Sequence, residues 1–480
     1  MRLILLAGLL LAFELSASVP APAHGEHLAL KPCRVAGTEQ TLRCGTLIVP
    51  EDRDRDGGRN LRLRVVVVPA LAERPLEPVF YLAGGPGQAA TDTAVGWADD
   101  PLRRDHDIVL MDLRGTGGES ALDCPAGDAG NPQEDIEPLF HDPGLFAACA
   151  ARLSRRADLS LYTTPIAMQD LEALRQALGY GKIELYGGSY GTRAGLVYLR
   201  MFGQHVRAAV FSGMSPIENT APLYHAAAAQ QALEAIFAQC AADAACHRAF
   251  PDPMGDVRAV MARLDEAPVP VTVSVPGSGK PARLALTAPG FADGLRIMLY
   301  SAEGGRSVPR LLAAARAGNY RPFAEAAVRS GHDFRHGLRL GLLLSVSCPE
   351  DVARIDANAV APETADSIFG DDRVRGQMAA CAVWPKGKIP DDYAAPFIST
   401  VPALILSGAL DPVTPPRWGE TGRRTLVASR HLVLPGAHVS GGSCVDTMVS
   451  RMFETAEPGA VDASCIDAIR LPPFEIAGGQ

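Results

Sequence analysis

Residues 182–202 read Lys182-Ile-Glu-Leu-Tyr-Gly-Gly-Ser189-Tyr-Gly-Thr-Arg-Ala-Gly-Leu-Val-Tyr-Leu-Arg-Met-Phe202. Ile183 to Tyr186 is a short apolar strand. Gly187-Gly188-Ser189-Tyr190-Gly191 follows and fits Gly-x-Ser-x-Gly, and an apolar helical segment comes after it. A chain that turns from strand into helix this abruptly strains the backbone of its central residue and leaves almost no room for side chains two positions to either side. The serine Oγ is thereby held out past the strand end, over a helix N-terminus whose amides and dipole favour negative charge. Gly-x-Ser-x-Gly alone is common in plain loops. The strand before it and the helix after it give the match its weight.

The flanking sequence keeps the same rhythm. Pro78 to Ala83 reads as a buried strand ending in Gly84-Gly85-Pro86-Gly87-Gln88, and Asp107 to Met111 as another, followed by the turn Asp112-Leu-Arg114-Gly-Thr-Gly. Asp112 and Arg114 could pair across that turn and read as structural. Thr163 to Leu178 has Ile166, Leu171, Leu174 and Leu178 at helical spacing, with Thr163 or Thr164 as N-cap and Gly179 as a stop. Val206 to Phe211 is a further strand. Alternating strands and helices predict a mainly parallel sheet with right-handed crossovers. Upstream, Thr41 to Pro50 and Leu61 to Pro69 predict an antiparallel pair at its edge. Residues 121–160 read as irregular.

From about 213 to 398 the rhythm gives way to alanine-rich helical segments and one hairpin, Val269 to Leu286, which predicts a lid inserted into the sheet's connections. The pattern resumes with a strand in Val401 to Leu410, then a helix from Pro416, a last strand His431 to Leu434 and a final helix from Ser443. The expected organisation is a leader at 1–23, a first core part at 24–213, the lid at 214–398 and a second core part at 399–480. The leader reading rests on Arg2 and an apolar run, Leu3 to Phe13, too short to span a bilayer.

Ser189, Asp411 and His438 each fall just past a predicted strand, in the chain order Ser, Asp, His that α/β-hydrolases present. In that arrangement His438 takes the serine proton and returns it to the leaving group, while Asp411 fixes the imidazole tautomer and stabilises its charged form. The backbone amides of Gly85 and Tyr190 are the expected oxyanion donors. The chemistry calls for no cofactor. No Cys-x-x-Cys pair occurs, and no metal site is expected.

Ten cysteines behind a leader predict disulfides in an oxidising compartment, hence a secreted or periplasmic protein with no stable membrane insertion. Sequence alone admits several hundred connectivities. The expectation is successive pairing: Cys33–Cys44, Cys124–Cys149, Cys240–Cys246, Cys348–Cys381 and Cys444–Cys465. A net charge of −9 without basic runs argues against nucleic acid as a partner.

Taken together, Gly84-Gly85-Pro86-Gly87, Asp112-x-Arg114-Gly115-x-Gly117, the elbow around Ser189, Asp411-Pro-Val-Thr-Pro415, Cys381-x-x-Trp384 and Cys444 to Cys465 resemble secreted tripeptidyl-aminopeptidase-type hydrolases, relatives of prolyl aminopeptidase in the α/β-hydrolase superfamily. The resemblance implies a serine exopeptidase acting on peptides with a free N-terminus. Such an enzyme must hold an ammonium group at a fixed distance from its serine. Glu350 and Asp351, next to Cys348, are the first candidates for that anchor, with Glu218 after them. A carboxylesterase or lipase with the same triad is the main alternative, and a non-catalytic binding protein on the same fold the second.

Overall fold

The computed structural model describes residues 28–124, 130–439 and 441–476; the expected leader lies outside them. Eleven strands are present among these residues: β1 Lys31–Cys33, β2 Leu42–Pro50, β3 Asn60–Val68, β4 Val79–Leu82, β5 Ile108–Met111, β6 Ile183–Gly188, β7 Val206–Ser212, β8 Val269–Ser274, β9 Pro281–Leu286, β10 Ala403–Gly408 and β11 Ser429–Leu434. Nine of them form one sheet in the order β1-β2-β3-β5-β4-β6-β7-β10-β11, and β8 and β9 make a separate hairpin. Pairing is antiparallel from β1 to β5 and parallel from β5 to β11. The sequences explain the split. β5, Ile-Val-Leu-Met, is buried throughout and β10 likewise, as strands covered on both faces must be. β3 begins with alternating burial and becomes continuously buried only over Val65–Val68, where it meets β5.

Helices Thr164–Ala177 and Tyr190–Phe202 cover one face of the sheet, together with buried Leu185, Ala194 and Tyr198. Helix Ser443–Thr455 covers the other with Met448, Met452 and Phe453. The helical insertion leaves the sheet after β7 and returns at β10, which pairs directly with β7 (Ala403 with Ala209, Leu404 with Val210). The insertion has its own core, in which the Phe291 and Phe323 rings stack 4.3 Å apart. It is also fastened to the sheet domain. Helix Leu340–Glu350 is buried at every position, Ser345, Ser347 and Glu350 included, and contributes Leu342, Leu344 and Val346 to the sheet-side core. This is an α/β-hydrolase fold with a large helical lid.

Several details differ from the sequence reading. Residues 121–160 are not irregular: helices Pro132–Ile136 and Pro143–Leu153 lie there, each announced by a capping residue and a first-turn proline, with Asn131 and Asp142 accepting from amides two positions on. Within the alanine-rich insertion, helix His225–Ala242 stops at Asp243, whose carboxylate caps a second helix, Ala244–Ala249. Helix Leu340–Glu350 shows no amphipathic period because it has no solvent face, so its spacing carried no signal. Asp112 and Arg114 do not pair with each other. Arg114 is fully buried and grips Asp170 with two bonds of 2.7 and 2.9 Å while donating to the carbonyls of Glu51 and Leu161. Asp112 instead accepts from the Thr91 amide and hydroxyl.

The cysteines pair in succession, Cys33–Cys44, Cys124–Cys149, Cys240–Cys246, Cys348–Cys381 and Cys444–Cys465. Bridges of this number belong to an oxidising, non-cytoplasmic compartment. Among the described residues no helix is long and apolar enough to cross a membrane.

Candidate active site

β6 delivers Ser189 at the centre of the sheet's parallel half, and the backbone there is strained: Ser189 has φ 54° and ψ −123°. The turn tolerates only glycine on either side. A Cβ on Gly187 would sit 2.6 Å from the Gly191 carbonyl oxygen, and one on Gly191 would sit 1.9 Å from the Leu82 oxygen on β4. Tyr190 begins the helix that runs to Phe202, so the serine stands at its N-terminus. The β4 loop lies alongside, close enough that a Cβ on Gly84 would come within 3.2 Å of Ser189 Cβ. Gly85, at φ 109°, follows in that loop.

Asp411 lies in the loop just after β10, and β11 leads to His438. His438 Nδ1 lies 2.8 Å from Asp411 Oδ2. The carboxylate is held from its other side by the amides of Val413 (2.9 Å) and Thr414 (2.7 Å) on Oδ1, and by the Thr414 hydroxyl (2.7 Å) on Oδ2. Burial alone would raise the pKa of Asp411. The His438 ring and the Thr414 donors outweigh it and hold the carboxyl below its usual value. Thr414 Oγ1 also lies 3.1 Å from His438 Nδ1, a contact that the Asp-Pro-Val-Thr spelling contained but the sequence reading left without a role. The imidazole is seated from above by the Tyr300 ring, edge-on at 5.2 Å. From below it meets Gly213 at φ 67°, where a Cβ would lie 3.3 Å from His438 Cε1.

Ser189, His438, Gly85 and Tyr190 line one cavity of about 280 Å³, roofed by lid residues Leu338, Leu343, Ser347, Asp351, Arg373 and Gln377. Val439, next to the histidine, approaches the elbow: its Cγ1 lies 3.6 Å from where a Gly188 Cβ would be. Residues more than two hundred positions apart in sequence therefore share one wall.

The three candidate anchors separate. Asp351 lines the cavity and is paired with Arg193 of the elbow helix, with Arg354 at 3.7 Å. Glu350 does not line it. It is buried among the Thr164 amide (2.6 Å), the Thr164 hydroxyl (2.8 Å) and the Tyr393 hydroxyl (2.6 Å), and Thr164 in turn bonds the Tyr190 hydroxyl at 2.7 Å. Burial pushes the Glu350 pKa up to about 7 against those donors. Glu218 is exposed. Sequence reading also passed over a His-x-x-x-His pair, His332 and His336. With Asp135, on helix Pro132–Ile136 outside the lid, it forms a group whose ligand atoms all lie within 4.8 Å of one another, in which Asp135 Oδ2 and His332 Nδ1 are 3.4 Å apart.

Comparison with known proteins agrees with this geometry. Residues 77–262 match the family model described as alpha/beta hydrolase fold, and residues 366–465 match that of the TAP-like protein. The chain is 25% identical to the serine protease Hip1 of Mycobacterium tuberculosis over 482 aligned residues, spanning 90% of each chain. It is 29% identical to carboxylesterase B of the same organism, over 90% of this chain and 89% of the relative. A third relative, the tripeptidyl aminopeptidase of Streptomyces lividans, is 29% identical over 192 residues, 35% of this chain and 34% of that protein. The chain belongs to the TAP-like serine hydrolases of the α/β-hydrolase superfamily.

Proposed function

We propose that the protein is an exported serine exopeptidase that removes single residues or short peptides from free N-termini. Ser189 is the nucleophile, His438 the general base and then acid, and Asp411 the residue that orients the imidazole. The observation that carries this reading is the His438–Asp411 bond of 2.8 Å in the same cavity as a strained Ser189. With Asp411 accepting from Nδ1, the imidazole presents Nε2 as the basic nitrogen. Attack by Ser189 Oγ on the scissile carbonyl forms a tetrahedral oxyanion facing the amides of Gly85 and Tyr190. Collapse expels the amine, protonated by His438, and leaves an acyl-enzyme. Water, deprotonated by the same histidine, then releases the acid.

The peptidase assignment draws on the TAP-like match and the two peptidase relatives. Asp351 is the one of the three anchor candidates on the cavity wall, and is the carboxylate assigned here to the substrate ammonium. A carboxylesterase is the second reading, favoured by the relative of that name. Turnover of an aminoacyl p-nitroanilide, its N-acetylated form and p-nitrophenyl acetate decides between them. The exopeptidase reading requires the free-amino anilide to be cleaved and the blocked one to be spared. Hydrolysis of the ester alone would reject it in favour of the esterase.

A further inference from the structure

The charges on the cavity wall do not cancel. Its one lining carboxylate, Asp351, bonds Arg193, and the substrate ammonium assigned to it above adds a positive charge to the cavity rather than removing one. The other lining guanidinium, Arg373 on lid helix Asp372–Val383, has no carboxylate within 4 Å among the described residues. Its Nη1 donates to Oε1 of the neutral Gln377 at 2.7 Å, and its Cζ lies 4.6 Å from the centroid of the Phe140 ring. Its Nε is buried with no acceptor, and no protein acceptor meets Nη2. Asp293, which draws on Arg373 from a distance, is spent on Arg296 through bonds of 3.0 and 2.8 Å, and Arg296 adds its own repulsion. Burial, then that neighbouring charge, pushes the Arg373 pKa down to about 9. His225 stands on the same wall with Nδ1 buried and unpartnered. Burial, followed by the Arg373 charge, holds its pKa well below the usual value, so it is a neutral ring with hydrogen-bonding capacity to spare.

A half-buried cation whose Nε is sealed from solvent and which has no counter-ion is costly to keep, and a planar fork with free N–H groups matches a carboxylate. One guanidinium beside a neutral imidazole suits a single negative charge better than a phosphate dianion. We propose that the lid wall formed by Arg373 and His225 is a subsite for a carboxylate carried by the substrate. The proposal deepens the exopeptidase reading and rests on it for the identity of the reacting serine. Two parts of a peptide can supply the group: an acidic side chain, or the free C-terminus of a short peptide.

Matched acid and amide substrates test it with the full chain. Glutamyl against glutaminyl p-nitroanilide reads the side chain; a free-acid against a C-terminally amidated tripeptide reads the terminus. In at least one pair the acid should win by about tenfold in kcat/KM, as a charge-assisted bidentate contact provides. Arg373→Gln should bring that ratio close to one, and Arg373→Lys should restore part of it. Ratios near one in the wild type for both pairs, or a preference untouched by Arg373→Gln, overturn the subsite. Calorimetry on Ser189→Ala reads the same preference with catalysis removed, using N-acetylglutamate against N-acetylglutamine and the free-acid against the amidated tripeptide. An active enzyme showing no acid preference sinks the subsite alone. An inactive enzyme that still binds the acids preferentially sinks the peptidase reading and leaves the subsite standing.

Discussion

Asparagine in place of Asp411 separates the proposed mechanism from any other use of this cavity, because the bonds around the carboxylate dictate how the amide must sit. Two backbone amides, Val413 and Thr414, point at Oδ1, so the carbonyl oxygen of the asparagine has to take that place. The NH2 group then occupies the Oδ2 position, 2.8 Å from His438 Nδ1. Two donors cannot face each other there. The imidazole responds by moving its proton to Nε2, and the nitrogen that should accept from Ser189 is then already protonated. The imidazolium formed in the transition state also loses its buried counter-charge. In comparable triads this exchange costs about 10⁴ in kcat, or about 5 kcal/mol of barrier. The change is isosteric and keeps the amide contacts, so the thermal midpoint at neutral pH should move little while turnover of p-nitrophenyl acetate collapses. Acid stability supplies a second reading. The folded carboxyl titrates below its unfolded value of 3.8, so it contributes stability that is present above that pH and is lost as pH falls through the folded value. The asparagine variant should lack that acid limb. Turnover within tenfold of wild type, in a variant shown to be folded, would refute the assignment of Asp411 and with it the mechanism.

Four other outcomes are expected. Ser189→Ala should lose on the order of a millionfold in kcat and all labelling by a fluorophosphonate, whereas a mutant retaining a tenth of activity rules the serine out as nucleophile. Gly191→Ala places a Cβ 1.9 Å from the Leu82 carbonyl, so the elbow helix cannot stay against β4, and a loss of more than about 3 kcal/mol in urea unfolding is expected; a loss under 1 kcal/mol would mean the turn relaxes freely. Glu350, with its pKa raised from 4.5 to about 7, favours the fold most when protonated. That contribution is present below pH 4.5 and lost as pH rises through 7, so Glu350→Gln should flatten the pH dependence of stability across that window by up to about 3 kcal/mol, and parallel curves for the two proteins would dismiss the effect. Removing the Cys348–Cys381 bridge by a double alanine variant opens a loop of 33 residues between two lid helices, worth up to about 4 kcal/mol in the chain-entropy model, with the drop in thermal midpoint as its measure.

What the chain spells out and what it conceals divide along a physical line. The elbow, the glycine loop after β4 and the order Ser189, Asp411, His438 were legible because each is fixed by a local demand: a turn without room for a Cβ, or a residue placed just past a strand. Successive cysteine pairing was legible for a similar reason, since near neighbours in sequence close short loops. Lid helix Leu340–Glu350 was hidden by its complete burial, which erases the period that reveals a helix.

The candidate substrate anchors were hidden more deeply, because a carboxylate's role depends on what reaches it from elsewhere in the chain. Glu350 and Asp351 are adjacent and alike in sequence, yet one helix end turns them apart. Glu350 goes to Thr164 and Tyr393, in the structural frame behind Tyr190, and Asp351 to the cavity, where Arg193 meets it. Arg373 is the converse case. Among so many charged residues nothing in the sequence marks it as unpaired, and only the fold reveals that Asp293 is committed to Arg296 and cannot neutralise it. Charge balance within an enclosed space is a property of the assembled wall, so specificity in this lid is legible only once the helices that build it are in place.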